Sequence, residues 1–153
     1  KIFNKIKPAI LDFDKKKEFF FKDENNLKGF GWSHNFEKLG MWSEGPISTL
    51  LFTTKKNDKD IKVEILCKPY ITKKNRILEF DIYINNSFNK NVKLTNGQQD
   101  QKIEILINKK LIINNEIKID FNFKNLVSPY EVLESPDSRK LGILVKNIAI
   151  NPI

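Results

Sequence analysis

The feature that most constrains this chain is alternation. In "IKVEILCK", Ile61, Val63, Ile65 and Cys67 fall on one face. In "ILEFDIYI", Leu78, Phe80, Ile82 and Ile84 oppose Glu79 and Asp81. "KIEILIN" alternates through Ile103, Ile105 and Ile107, and "EIKIDFNF" through Ile117, Ile119, Phe121 and Phe123. A period of two sends successive side chains to opposite sides of a pleated strand, giving one buried and one wet face. A helix needs a period of about 3.6, and no window of about 11 residues or more carries it. The segments between these runs, "KKND", "TKKN", "INNSFNKN", "TNGQQD" and "IINNE", have turn chemistry. In "KLGILVKNIAI" the phase slips after Val145, and a bulge at Lys146–Asn147 would return Ile148 and Ile150 to the face of Leu141, Ile143 and Val145. Short helical turns are expected at "NFEKLG" and "SPYEVLE". Regularly spaced strands with turn signals predict an all-β fold, a two-sheet antiparallel β-sandwich of jelly-roll type.

Size and charge narrow the function classes. A chain of 153 residues is one domain on length alone. The expected organisation is a lead-in over residues 1–7 and a single sandwich over residues 8–153. Residue 1 is Lys, so the chain reads as a piece excised from a larger protein. No apolar run approaches the roughly 20 residues of a spanning helix, and no signal peptide is visible. Cys67, the one cysteine, rules out an internal disulfide and reads as an inert thiol on an apolar face. The net charge of +8 invites nucleic acid, yet Arg76 and Arg139 are the only arginines and the lysines are spread along every segment. Phosphate and base recognition relies on arginine forks, so the lysines read as a solvated surface and no nucleic-acid partner is assigned. No phosphate-cradling glycine loop, nucleotide fingerprint, zincin helix or nucleophile elbow is present. Structural calcium would need several oxygen ligands, and no acidic cluster marks a site; no metal or cofactor is assigned.

One segment breaks the monotony. "GFGWSHNFEKLGMWSEGP", residues 29–46, holds both tryptophans, the one histidine, the one methionine and four of the six glycines. Its pattern Gly31-Trp32-Ser33, Glu37, Gly40, Trp42-Ser43, Gly45-Pro46 resembles a motif of accessory β-sandwich domains attached to bacterial phosphoglycerol transferases and surface-polysaccharide glycosyltransferases. The end of the chain is similar to the same family through Ser128-Pro129, Asp137, Arg139 and Leu141-Gly142. Met41 departs from the pattern, where the family has a basic residue. The resemblance implies a C-terminal or accessory module, carbohydrate-binding-like and non-catalytic. Its partner would be a glycan or the parent's catalytic domain, and its location would follow the parent, cytoplasmic or membrane-associated.

The residues themselves carry several readings. Tryptophan faces stack on the C–H faces of sugar rings, but two tryptophans at a corner are more often core anchors. Trp42 is the better candidate for an exposed platform, with Ser43, Glu44 and His34 beside it to orient hydroxyls. Trp32 is the candidate buried anchor, because Phe30 precedes it on the same alternating face. A scarce arginine in a lysine-rich chain implies work for a planar fork, so Arg139 is expected to pair with Glu37, with Asp137 capping the turn that follows it. Two rivals stand beside glycan binding. The domain could pack on its parent and bind no sugar, or Glu37 could serve a glycan-acting enzyme in a deep cleft with a second titratable group.

Overall fold

Ten strands form among the described residues, and the five runs read from alternation are five of them. The computed structural model describes residues 9–11, 17–20, 29–34, 37, 39–55 and 58–153; the expected lead-in over residues 1–7 lies outside them. The strands are β1 (Ala9–Leu11), β2 (Lys17–Phe20), β3 (Met41–Glu44), β4 (Ile47–Thr54), β5 (Ile61–Pro69), β6 (Leu78–Ile84), β7 (Ser87–Leu94), β8 (Gln101–Ile107), β9 (Glu116–Phe123) and β10 (Leu141–Pro152). One sheet has the order β1-β4-β9-β6-β7. The other has the order β2-β10-β5-β8, with β3 also paired to β10. All pairings are antiparallel except β1 beside β4. Among the described strands only β6 and β7 are joined as a hairpin within one sheet; each other pair of consecutive β-strands from β3 onward crosses between the layers. The fold is a two-sheet β-sandwich. No helix among the described residues is long and apolar enough to cross a membrane.

The inner faces are the alternating sets. Ile61, Val63, Ile65, Cys67, Phe80, Ile82, Ile105, Ile119 and Phe121 are all essentially inaccessible. Burial pushes the Cys67 thiol up to about 12, with Asp100 adding to the shift; the thiol is protonated at neutral pH. The slip in β10 is a bulge. Val145 faces Cys67 and Asn147 faces Leu66, so Lys146 is the extra residue, and Ile148 and Ile150 return to the core. Strand β10 is long enough to pair β5 along one edge and β3 and then β2 along the other.

Strand β7 lies in a stretch that reads as turn, "INNSFNKN". The turn is only Asn85–Asn86, both at positive φ (46° and 70°), the combination a two-residue type I′ hairpin needs. β7 then runs along the edge of its sheet with most side chains in water, so little apolar alternation is required of it. Strand β4 also lacks alternation. Its outward Thr49 and Leu51 are buried as well as its inward Leu50 and Phe52, because residues 29–31 lie across that end of it.

The stretch 128–134 forms a helical turn. Ser128 N–H donates to Glu131 Oε1 (2.7 Å) and Glu131 N–H to Ser128 Oγ (3.1 Å), a reciprocal capping box with Pro129 at the first turn position. Within 35–40, residues 35, 36 and 38 lie outside the described ones. Glu37 and Gly40 exchange two backbone hydrogen bonds, which makes a reverse turn there instead of the expected helical one.

Candidate functional site

The site begins where residues 29–34 change sheets. Gly29 N–H donates to Thr49 O (2.9 Å) and Thr49 N–H to Phe30 O (2.8 Å), against β4. Two residues on, Glu44 N–H donates to Gly31 O (2.7 Å) and Ser33 N–H to Trp42 O (3.0 Å), against β3. The hinge is Gly31, at φ +84°, where a Cβ would sit 2.0 Å from Ile47 O. The positive φ breaks alternation, so Phe30 and Trp32 do not share a face as expected: Phe30 is 54% exposed and Trp32 is 8% exposed. Trp32 is an anchor for a different reason. Its indole N–H donates to Thr49 O (2.7 Å) and its ring stands edge-on to Phe121.

Arg139 organises the polar side of this corner. Its Nε donates to both Asp137 oxygens (3.0 and 3.1 Å) and Nη2 to Asp137 Oδ2 (2.7 Å). Nη1 donates to Ser33 Oγ (2.9 Å), and Nη2 reaches Glu37 Oε1 at 3.4 Å. Ser33 Oγ in turn donates to Glu44 Oε2 (3.1 Å). Ser33 and Glu37 therefore meet Asp137, on the segment leading into β10, at one guanidinium, and Ser33 links that guanidinium to Glu44 of β3. Asp137 is the closer carboxylate partner and Glu37 the looser one. Asp137 Oδ1 also accepts the Arg139 backbone N–H (3.0 Å), which caps the turn. Hydrogen bonds from the Arg139 side chain hold the Asp137 carboxyl below its ordinary range, against an opposing desolvation, and the same bonds raise Arg139.

These groups line an open cleft of about 290 Å³ formed by Ser33, His34, Glu37, Glu44 and Arg139. His34 is exposed at its rim. Trp42 lies next to it on β3. The strand alternates, so Met41 and Ser43 point inward while Trp42 and Glu44 share the outer face, both half-buried. Tyr70 stands edge-on to Trp42, with ring centroids 6.0 Å apart. The Tyr70 hydroxyl donates to Glu134 Oε1 (2.5 Å), and desolvation followed by that bond raises its pKa.

Ser43 does not belong to the cleft. It is fully buried, and its Oγ accepts the Ile143 N–H (2.9 Å). A Cβ at residue 142 would lie 2.5 Å from Ser43 Oγ and 2.8 Å from the Phe123 ring, so Gly142 makes room for this contact. The expectation that Ser43 orients a ligand hydroxyl fails because strand alternation turns it toward the core. Ser33, Tyr70 and Glu134 belong to the site region without having been singled out in sequence. Ser33 could have been found, since it sits inside the unusual segment; Tyr70 and Glu134 carry no local signal. Among the described residues no group of three or more His, Cys, Asp and Glu side chains is arranged to hold a metal ion.

No protein-family model matches the sequence, and no curated protein matches it. Solved structures do match in shape. The CBM36-1 domain of a multidomain xylanase from the hindgut metagenome of Trinervitermes trinervoides superposes with a TM-score of 0.55 at 9% identity, over 90% of this chain and 97% of that one. The Podospora anserina GH26-CBM35 β-(1,4)-mannanase gives 0.52 at 12% identity, over 92% of this chain and 28% of that one. The insecticidal delta-endotoxin Cry8Ea1 from Bacillus thuringiensis gives 0.53 at 9% identity, over 95% of this chain and 25% of that one. The chain thus has the β-sandwich fold of carbohydrate-binding modules, and it spans about a quarter of the length of the mannanase and of the toxin.

Proposed function

We propose that this domain is a non-catalytic accessory module that binds a glycan across the Trp42 face and the adjoining cleft. The observation that carries the reading is the pairing of Trp42 and Glu44 on the outer face of β3, beside a cleft whose polar groups Arg139 holds in place. An aromatic face supplies stacking, and fixed polar groups supply orientation. The likeness in fold to carbohydrate-binding modules supports it. Glu37 is 44% exposed along its side chain and faces Arg139, the arrangement of a solvated ion pair and not of a water-excluded proton donor. On this reading residues 8–153 are one module of a larger glycan-building or glycan-modifying protein, bacterial by the motif resemblance. Any catalytic machinery lies elsewhere in that parent.

A glycan array with the 153-residue chain, followed by titration of the hits, tests the proposal. One stacked ring contributes on the order of 1 kcal/mol beyond area burial, so dissociation constants of roughly millimolar are expected. Trp42→Ala should abolish binding and leave the melting temperature nearly unchanged. Trp32→Ala should lower the melting temperature itself, since it removes one of the two donors to Thr49 O and opens the space beside Phe121. Binding that survives Trp42→Ala would move the site elsewhere.

A second reading is favoured by the loop that precedes β10. Tyr130 is 64% exposed and Leu133 is 84% exposed at φ +62°. An apolar side chain held in the left-handed region costs about 1–2 kcal/mol, which fits a contact residue better than a solvated tip. If no glycan binds, this loop is the face on which the module would pack against its parent's catalytic domain.

A further inference from the structure

We infer that the cleft selects sugars that donate hydrogen bonds, neutral hydroxyls and above all an amino-sugar ammonium, and that it rejects uronate and sulfated glycans. The inference rests on the glycan-binding reading and names the ligand class of that same site.

The chain's net charge of +8 points the other way, toward anionic partners. The cleft has the opposite local character. Glu37 and Glu44 line it, Asp137 stands behind it, and Arg139 is the one lysine or arginine among its described lining residues. Arg139 is moreover already engaged. A guanidinium has five N–H donors; here four of them serve Asp137 through Nε and Nη2, Glu37 through Nη2, and Ser33 through Nη1. Both edges of the fork that could clasp a ligand carboxylate bidentately thus face protein acceptors. Ser33 is committed as well, since its hydroxyl proton goes to Glu44 Oε2. Apart from the second Nη1 hydrogen, the unused capacity of these groups is of the acceptor kind. Among the described residues no donor reaches Glu37 Oε2 or Glu44 Oε1. A ligand carboxylate entering here would face two carboxylates and displace a guanidinium from its partners, leaving protein charges unpaired. A sugar hydroxyl would find acceptors beside the Trp42 face, and an ammonium would make charge-assisted bonds to the same oxygens.

The experiment uses three β-1,4-linked hexamers of matched length, built from glucose, glucosamine and glucuronate. Each is titrated into the 153-residue chain and into Trp42→Ala at physiological salt, and only the Trp42-dependent part of binding is counted. This removes nonspecific attraction of the anionic hexamer to the basic surface. The expected order is glucosamine, then glucose, then glucuronate, with about five-fold or more between the first two, the difference between a charge-assisted and a neutral hydrogen bond. Glu44→Gln and Glu37→Gln, each checked for an intact melting transition, should shrink that ratio toward one. Trp42-dependent binding of the glucuronate hexamer equal to or tighter than glucose would overturn the inference and leave the glycan-binding reading standing. Absence of Trp42-dependent binding for all three would overturn the cleft reading itself, and the charge preference with it.

Discussion

Arg139 illustrates how one side chain can hold a corner together. Its three contacts to Asp137 and its single longer reach to Glu37 divide the work unequally. Removal of Asp137 should therefore be felt more than removal of Glu37. The dependence on pH follows from the direction of the Asp137 shift. Its folded-state pKa lies below the ordinary 3.8, so the pairing contributes stability that is fully present above 3.8 and is lost as pH falls through the lower folded value. Asp137→Asn should cost about 0.5–1 kcal/mol at pH 7, small because the pair is partly solvated. The gap to the unsubstituted chain should begin to narrow below about pH 4 and close only below the folded-state value. Chemical denaturation at a series of pH values measures this; a gap that persists unchanged into acid would mean that the carboxylate is not the contributing group.

At the scale of elements, register is the sharpest claim. Strand β8 pairs β5 with Ile105 opposite Val63 and Glu104 opposite Glu64. Ile105 is fully buried, and Glu104 is exposed. Ile105→Asn should destabilise the domain by about 2–4 kcal/mol, by burying an amide without partners. Glu104→Gln should be within about 0.5 kcal/mol of the unsubstituted chain, because repulsion from Glu64 is offset by Lys62 and Lys102 at 3.9 and 3.4 Å from the Glu64 oxygens. Equal losses in urea melts would show that the register is shifted by one residue. The β6–β7 hairpin depends on Asn85 as well as on its backbone. The Asn85 amide donates to Leu111 O and Glu116 O and accepts from Lys118 N–H, tying the hairpin to the neighbouring connection and to β9.

The whole molecule is two layers, closed by side chains along the side where β7 and β8 meet. Strands β7 and β8 are edges of different sheets. Asn89 Nδ2 donates to Leu106 O (3.1 Å), and Lys90 Nζ donates to Glu104 O, so β7 covers carbonyls that the β8 edge would otherwise present to another strand. Cys67 lies deep between the layers, at 0% exposure. It serves as a reporter of global opening. A thiol reagent should label it only at the rate of whole-domain unfolding, with labelling in native buffer slower by orders of magnitude than in denaturant. Fast labelling under native conditions would mean that the sheets part locally around β5.

The alternating runs determined the layers. Period two is a local property of the chain, and burying one face of each strand leaves a sandwich as the economical arrangement; the sets through Ile61, Leu78, Ile103 and Ile117 all lie inside. The bulge at Lys146 was equally legible, because a phase slip shows in the order of apolar residues alone. Strand β7 was not, since an edge strand with a wet surface needs no apolar pattern. The site divides the same way. Scarcity marked Arg139 and the segment around the tryptophans as places with work to do. Which carboxylate sits closest to the guanidinium, which way Ser43 turns, and the arrival of Tyr70 and Glu134 beside Trp42 depend on how β3, β5 and β10 pack. Contacts between residues far apart in the chain are set by sheet order and by the twist at Gly31, and neither is written in the residues on either side.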